Sequence, residues 1–328
     1  MIKTMLTALA AVAAVASTAP AGPAAAQTLE LRISGENPPS GLDLQMAQRF
    51  ADILEERLGD DFSYELFHTE ALGDEQVHLQ QIRTGQLDVY PMGSDAVQLD
   101  PAWAVFDMPF LFEDRAAVVR VLDGEVGEEL RRSMREAAGL EVLAFGELGF
   151  RQITNNVRPI VEPSDLEGVK LRVPGSETRV LSFRELGASP ITMNFGELYL
   201  ALQQGTVDGQ ENPLLTIKNR SLFEVQDYLS LSGHVYTPVT FVMNGRTYDG
   251  LSAEHQALVK EAALEAAKFT REKGAAADAE LVAELGESMA VNEIDKAAFV
   301  EAAEPIWDQI ADVAGRELAE KMIAAAQQ

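Results

Sequence analysis

Segments with the alternating pattern of β-strands and segments with helical periodicity succeed one another along most of this 328-residue chain. Residues 29–33 alternate apolar and polar side chains, residues 44–54 place apolar side chains on one helical face, and residues 62–67 return to strand-like alternation. Strands separated by helices need crossover connections. The order therefore predicts an α/β fold with a mostly parallel sheet.

The same order continues through the first half of the chain. Asp74 is suited to cap a helix that Gly85 would end, and residues 87–90 have the pattern of the next strand. Helices on either side of Gly124 lead to an apolar strand at residues 142–145. These elements make up one α/β unit.

A second α/β unit is predicted to begin near Gly149. Its expected strands are 151–154, 169–173, 206–208, 228–231 and 239–244, the last two of which could cross between the units, and its first helix is 176–186. Ser252 is suited to cap a helical pattern that runs to Leu285, with Gly274 as its only breaker. A helix this long usually braces more than one unit.

The segment 197–214 is the most informative stretch of the second unit. An amphipathic helix is followed by Gly205 as a stop and by the predicted strand 206–208, after which residues 208–213 form a polar elbow. Ligands of open α/β sheets usually bind at the carboxyl ends of strands. The elbow is therefore expected to border a ligand site.

The amino terminus has the layout of a secretory signal. Residues 1–26 contain a lone basic Lys3, an apolar run at 5–16 and a small-residue site at 24–26, which predicts cleavage after Ala26. An uncleaved membrane anchor is the alternative, but the apolar run is shorter than the roughly 20 residues that a span needs. The chain has no cysteine, so an exported protein of this sequence must rely on its core rather than on disulfides.

The net charge restricts the partners. A formal charge of −26 repels nucleic acid and anionic membrane surfaces. Physiological salt screens this field over roughly 8 Å, so arginines inside a cleft could still bind an anion. An acidic ligand is therefore not excluded.

Residues 207–213 read Val-Asp-Gly-Gln-Glu-Asn-Pro and closely resemble the signature of the substrate-binding proteins of TRAP (tripartite ATP-independent periplasmic) transporters, the DctP-like family. Segments 106–112, 149–152, 165–174 and 187–190 resemble family blocks in the same order, so the resemblance covers nearly all of the mature chain. It implies a periplasmic binding protein of two α/β lobes around a cleft, with cross-over strands, one long helix that spans both lobes, and closure on an organic anion.

The resemblance and the element order together give the expected domains. Residues 27–148 with 238–277 are expected to form lobe I, and residues 149–237 with 278–328 to form lobe II. Each lobe would then contribute one wall of the cleft.

Three polar residues are candidates for the carboxylate site. Arg172 lies between apolar residues of the predicted strand 169–173, and its planar guanidinium suits a carboxylate; the matching family arginine binds the substrate carboxylate. An ion pair with Glu167 is the alternative that the residues alone leave open. Arg151 matches a second family arginine and Asn212 a family asparagine whose amide can donate a hydrogen bond, with surface or turn roles as alternatives.

Four further residues are candidates for ligand contact. Phe195 matches a family aromatic that flanks the pocket, although an aromatic before a helix also suits a core position. Glu36 follows the first strand where family members place a polar ligand contact, and Glu75 and Ser94 occupy similar tips; helix capping or solvation is the alternative. A carboxylate at Glu36 would accept hydrogen bonds from hydroxyls and repel a second ligand carboxylate, which favours a sugar acid.

Catalytic and metal-binding patterns do not appear in the sequence. The four histidines lack metal-ligand spacing, and the chain has neither a Gly-x-Ser-x-Gly elbow nor a glycine-rich phosphate loop. The TRAP branch that binds a metal with its ligand has an aromatic after the signature acid, whereas Asn212 follows Glu211 here. We therefore expect no enzyme activity, no metal and no cofactor.

The function that the resemblance implies is delivery of an organic acid anion, such as a hexuronate or aldonate, to the membrane subunits of a TRAP permease by a monomeric periplasmic protein. An exported enzyme acting on such acids and a sensory receptor presenting the ligand to a kinase are the alternatives. A dicarboxylate is the alternative ligand.

Overall fold

The computed structural model of the protein describes residues 28–328. The predicted secretory signal, residues 1–26, lies outside the described residues. The strands are β1 Leu29–Ser34, β2 Phe62–Phe67, β3 Val89–Met92, β4 Leu140–Asn155, β5 Lys170–Val173, β6 Ser189–Thr192, β7 Gly209–Pro213, β8 Tyr228–Leu231, β9 Tyr236–Asn244 and β10 Ala290–Glu293. The helices are α1 Leu42–Leu58, α2 Glu75–Thr84, α3 Arg115–Leu122, α4 Glu125–Ala138, α5 Glu177–Glu185, α6 Leu198–Gln203, α7 Leu214–Asn219, α8 Gly245–Gly250, α9 Ala253–Leu285, α10 Lys296–Ala314 and α11 Arg316–Ala326.

The strands form two half-sheets, one in each lobe of the two-lobed α/β fold. Lobe I has the order β2-β1-β3-β9-β4, and in lobe II β6-β5-β7 continues onto β4, which also pairs with β8, while β8 pairs with β10. Strands β1, β2 and β3 are parallel to one another, as are β5, β6 and β7, whereas β4 and β9 pair antiparallel to their neighbours. The mostly parallel sheet predicted from the sequence therefore holds outside these two strands.

Strand β4 passes from one half-sheet into the other. Its residues Leu140 to Phe150 pair with β9, and Arg151 to Asn155 pair with β7. The sequence predicted two strands here because glycines interrupt the apolar alternation. The pairing with β9 continues across a register shift between Glu147 and Gly149, so the structure has one 16-residue cross-over strand.

Helix α9 contacts both lobes, as predicted. It begins after Ser252, whose side chain accepts a hydrogen bond from the backbone N–H of His255, and it runs for 33 residues. Its first half packs on α1 and β4, and Leu281 and Leu285 near its end belong to the apolar core around α7. Gly274 lies where a Cβ would stand 2.5 Å from Oε1 of Glu147, so glycine permits the close approach of helix and strand.

Two predicted strands are displaced along the chain. The strand predicted at 87–90 is β3, Val89–Met92, which lies two residues later. The strand predicted at 206–208 is a bend, and the polar elbow that should follow it is the buried strand β7 itself. Polar side chains suggested a loop, but those of β7 are hydrogen-bonded inside the protein, for example Gln210 to Thr154 at 2.9 Å.

The carboxy-terminal helices pack across the back of the molecule. Helix α10 contacts α5 and the 3₁₀ turn Pro101–Asp107, and α11 contacts α3 and α4 of lobe I. The assignment of residues 278–328 to lobe II, like the other lobe boundaries, remains a proposal. Among residues 28–328, none of the helices combines the length and apolar character that a membrane span requires.

Candidate functional site

A cavity opens between the two lobes at the carboxyl ends of their parallel strands. Glu36 follows β1 and Ser94 follows β3 on the lobe I side, whereas Arg172 and Asn212 lie on β5 and β7 of lobe II. This is the usual position of ligands in open α/β sheets. All seven site residues predicted from the sequence line this one cavity: Glu36, Glu75, Ser94, Arg151, Arg172, Phe195 and Asn212.

Arg172 provides a buried cation on the lobe II wall. Its side chain is 2% exposed, and its Nε and Nη2 donate to the carbonyl oxygen of Met193 at 3.2 and 2.8 Å, which uses two of its five N–H groups. No carboxylate among residues 28–328 forms an ion pair with it, so the alternative pair with Glu167 is wrong. Burial lowers the pKa of Arg172 to about 10, so the guanidinium stays charged at neutral pH.

Arg151, in contrast, is neutralised by a buried carboxylate of the signature segment. Its Nε and Nη2 donate to the carboxylate of Glu211, the latter at 3.0 Å from Oε1, and Nη2 also donates to Oδ1 of Asn212 at 3.0 Å. Although burial alone would raise the pKa of Glu211, Arg151 and Arg179 hold it well below its ordinary value. Arg151 is therefore fixed in place by Glu211 at the edge of the cavity.

Sequence reasoning missed the second arginine of this network, Arg179 on α5. Its Nη1 donates to both carboxylate oxygens of Glu211 at 3.1 and 2.9 Å, and its Nε donates to Oδ1 of Asp107 at 2.9 Å. The ring of His234 is the third group in contact with the Glu211 carboxylate, with Nε2 3.0 Å from Oε2. The only sequence signal was Asp107, an acid within the apolar segment 106–112, which indicates a buried partner without identifying it.

Asn212 is held from both sides. Its Oδ1 accepts from Arg151, and its Nδ2 donates to Oε1 of Gln210 at 2.5 Å. Gln210 donates in turn to Thr154, which donates to Gln226 at 2.8 Å. The second Nδ2 hydrogen of Asn212 remains available to the cavity, since an amide nitrogen carries two donors.

Phe195 stands between two guanidinium groups. The Cζ atom of Arg172 lies 5.5 Å from its ring centroid, and that of Arg220 lies 4.2 Å away. Arg220 also forms an ion pair with Glu70 of lobe I, at 3.3 Å. The half-buried ring thus borders the cavity and also packs against the lobe II core. Its position agrees with both alternatives from the sequence, a place beside the pocket and a place in the core.

A second contact also joins the lobes. Nδ2 of Asn194 donates to Oδ2 of Asp74 at 2.8 Å. The other carboxylate oxygen of Asp74 caps α2 by accepting from the backbone N–H of Val77. Helix capping here is therefore done by Asp74, and not by its neighbour Glu75.

The lobe I wall is acidic. The hydroxyl oxygen of Tyr90 lies 2.5 Å from Oε1 of Glu36 and 2.8 Å from Oδ2 of Asp95, and Oε1 of Glu75 accepts from Gln98 at 2.9 Å. Burial raises the pKa of each of these carboxyls, to about 8 for Glu75. One wall thus offers hydrogen-bond acceptors and the other a cation.

Ser94 and Asp43 complete the lobe I wall. The hydroxyl of Ser94 is buried without a partner in the described part of the chain. Asp43 accepts from the side chain of Asn37 at 3.1 Å, and burial raises its pKa to about 6. Across residues 28–328, no group of His, Asp and Glu side chains has an arrangement that could hold a metal ion.

Comparison with known proteins identifies the family to which this chain belongs. The family described as "Bacterial extracellular solute-binding protein, family 7" (DctP) matches residues 33–313. The chain belongs to this family. Membership confirms the predicted recognition as a substrate-binding protein of TRAP transporters, which bind small organic acids and work with a membrane permease, and it confirms that the chain is not an enzyme.

Individual relatives agree with this assignment. The 2,3-diketo-L-gulonate-binding periplasmic protein of Escherichia coli (strain K12) is 35% identical over 292 residues, which are 88% of this chain and 87% of the relative. The sugar acid binding protein of Advenella mimigardefordensis in complex with galactonate has a TM-score of 0.88 and 31% identity, with 92% of this chain and 98% of that chain covered. A TRAP periplasmic solute-binding protein of Sulfurospirillum deleyianum with bound succinate has a TM-score of 0.85 and 28% identity, with coverage of 90% and 98%.

Proposed function

We propose that this TRAP solute-binding protein carries a polyhydroxylated monocarboxylate, a sugar acid of the hexuronate or aldonate class, to its permease. The proposal includes removal of residues 1–26 in the periplasm and a monomeric mature protein. It assigns the ligand to the cavity between the lobes, with Arg172, Arg151, Asn212 and Phe195 on one side and Glu36, Glu75 and Ser94 on the other.

The observation that carries the proposal is the unequal state of the two arginines. Arg151 is already paired with Glu211, whereas Arg172 is buried without a carboxylate partner and lines the cavity. A buried charge without a partner is unfavourable. A ligand carboxylate would supply the missing charge and bind Arg172 through charge-assisted hydrogen bonds. Asn212 would then donate to the same end of the ligand.

The opposite wall favours a ligand that carries hydroxyl groups at the end away from its carboxylate. Glu36, Glu75 and Asp95 present oxygen atoms to hydroxyl donors, while a second ligand carboxylate would add a negative charge to a wall where burial and neighbouring acids already disfavour ionisation. The galactonate complex of one relative fits this choice. A relative with bound succinate shows that the fold also accepts dicarboxylates, which makes a dicarboxylate the second candidate.

Identification of the ligand tests the proposal directly. Protein purified from its natural periplasm would be denatured, and the released small molecules would be analysed by mass spectrometry. A thermal-shift panel of galactonate, glucuronate and succinate would follow, because a ligand that binds only the native state raises the melting temperature. Stabilisation by succinate with no response to either sugar acid would refute the ligand class and leave the transport role standing.

A further inference from the structure

The hydroxyl of Tyr90 makes two short contacts with carboxyl oxygens on the lobe I wall. It lies 2.5 Å from Oε1 of Glu36 and 2.8 Å from Oδ2 of Asp95. A tyrosine hydroxyl has one proton and can donate it fully to only one of two acceptors. An ionised carboxylate has no proton to donate in return. One of the two carboxyls must therefore carry a proton for both contacts to be hydrogen bonds.

The surroundings decide which carboxyl carries the proton. Oδ1 of Asp95 accepts from the backbone N–H of Gly93 at 2.8 Å, a bond that favours the ionised form. Glu36 has no hydrogen-bond donor other than Tyr90 within residues 28–328. Its protonated form would donate to the oxygen of Tyr90, which would then donate to Asp95. The reverse order would leave Asp95 protonated beside a backbone donor that favours its ionised form, so the proton is assigned to Glu36.

The charges that face Glu36 favour the same assignment. Asp95 follows β3, Glu75 begins α2, Asp43 begins α1, and all three are acids near Glu36, while Arg172 on the opposite wall is the cation that faces it. Burial raises the pKa of Glu36 well above its ordinary value, and Asp95 and Glu75 raise it further. The geometry of the hydroxyl and the electrostatics of the wall thus agree.

We propose that Glu36 enters the closed cleft as a neutral carboxylic acid, so that closure over an anionic ligand takes up one proton from solvent. The inference rests on the proposed function, because it concerns the same cavity. The proton forms the O–H bond on Oε1 and is donated to Tyr90, and Oε2 stays an acceptor for a ligand hydroxyl. In an open cleft, contact with water returns Glu36 to its ionised form at neutral pH.

Proton uptake makes a quantitative difference to binding. If the complex holds one proton more than the free protein, affinity falls tenfold for each pH unit over the range in which Glu36 is ionised in the free protein and neutral in the complex. Glu75 could add to this slope, since its pKa is raised to about 8. Glu36→Gln removes one titrating proton and is expected to lower the slope by about one unit.

Calorimetry with galactonate and glucuronate as probes would measure the proton number. Binding enthalpies in buffers of different ionisation enthalpy are expected to give about one proton fewer for Glu36→Gln than for the wild-type protein. Glu301→Gln, which removes an exposed carboxyl of α10, is the matched control and should keep the wild-type number. Equal proton numbers for wild type and Glu36→Gln, or no proton uptake by wild type, would overturn the proposal.

A third probe, succinate, separates this inference from the proposed function. If galactonate and glucuronate fail to bind and succinate binds, the ligand class is wrong, and the proton number of succinate binding then tests Glu36 on its own. About one proton fewer for Glu36→Gln than for wild type would support the neutral Glu36 with either ligand class, and equal proton numbers would refute it. Without ligand, the melting temperatures of wild type and Glu36→Gln should depend on pH in parallel from pH 6 to 9, because Glu36 is ionised in the open cleft. A fall of wild type relative to Glu36→Gln would show that Glu36 is neutral before closure and would overturn the proton uptake.

Discussion

Replacement of Arg172 by methionine should remove ligand binding with only a small change in the stability of the protein. Methionine keeps an unbranched apolar side chain in a site that is 2% exposed, and it removes the cation that the ligand carboxylate requires. The matched control is Lys170→Met, which removes one positive charge from an exposed position of the same strand, β5. The two variants have the same net charge.

Two opposing effects of Arg172 on stability follow from the structure, the cost of burying its charge and the gain from its hydrogen bonds. Burial lowers the pKa of Arg172 from its ordinary value to about 10, which corresponds to a penalty of about 3 kcal/mol for the charged form. The two hydrogen bonds to Met193 return about 1–3 kcal/mol. Methionine removes both the burial penalty and the two hydrogen bonds, so the free energy of unfolding should change by no more than about 2 kcal/mol.

Binding should respond far more strongly. Truncation of one partner of a buried, hydrogen-bonded charge pair costs about 2–5 kcal/mol, which is a loss of about 30-fold to several thousand-fold in affinity. Isothermal calorimetry would measure the affinity of galactonate and urea unfolding the stability. Unchanged affinity in Arg172→Met would remove Arg172 from the site. Equal losses in Lys170→Met would show that net charge, and not the contact, is responsible.

Three further outcomes are expected. Glu211→Gln should lower the free energy of unfolding by about 3–5 kcal/mol in urea titrations, because it leaves buried arginines unpaired. The pKa of Glu211 is depressed in the folded protein, so its stabilising effect is present above pH about 4.5 and is lost on acidification. The variant should therefore lose less stability than wild type below that pH. Gly274→Ala should destabilise the protein by about 1–3 kcal/mol in the same assay, although alanine ordinarily strengthens a helix, because the new Cβ meets the buried Glu147; a stabilised variant would contradict the close approach. Small-angle scattering should give a smaller radius of gyration with saturating galactonate, since the Arg220–Glu70 pair joins the lobes only when they are close, and identical curves would argue against closure.

Local sequence signals predicted the elements of the fold well where one residue determines the backbone. Asp74 caps α2 and Gly85 ends it in the left-handed conformation, and Ser252 caps α9, each as predicted. These features depend on a few neighbouring residues. Pairing between distant strands has no such local signal, so the sequence could not show that 142–145 and 151–154 belong to one strand.

The site was predictable where resemblance supplied positions, and it was not predictable where long-range charge pairing decides the chemistry. The seven candidate residues lie around one cavity, but nothing in the sequence distinguished the paired Arg151 from the unpaired Arg172. That difference comes from Glu211, which the pairing of β7 with β4 brings to Arg151 and which also forms an ion pair with Arg179 of α5. The grouping of the buried Asp43, Glu75 and Asp95 with the half-buried Glu36 on one wall likewise follows from tertiary structure.

The crossing of helix α9 and strand β4 has a mechanical consequence. An α-helix of 33 residues is about 50 Å long and resists stretching, so a change in the angle between the lobes has to be absorbed by bending. Glycine is the residue that bends most readily in a helix, and Gly274 lies at the level of the register shift in β4 beside Glu147. A flexible position of the helix therefore lies beside an irregular position of the strand, and we expect a change in the angle between the lobes to bend both elements there.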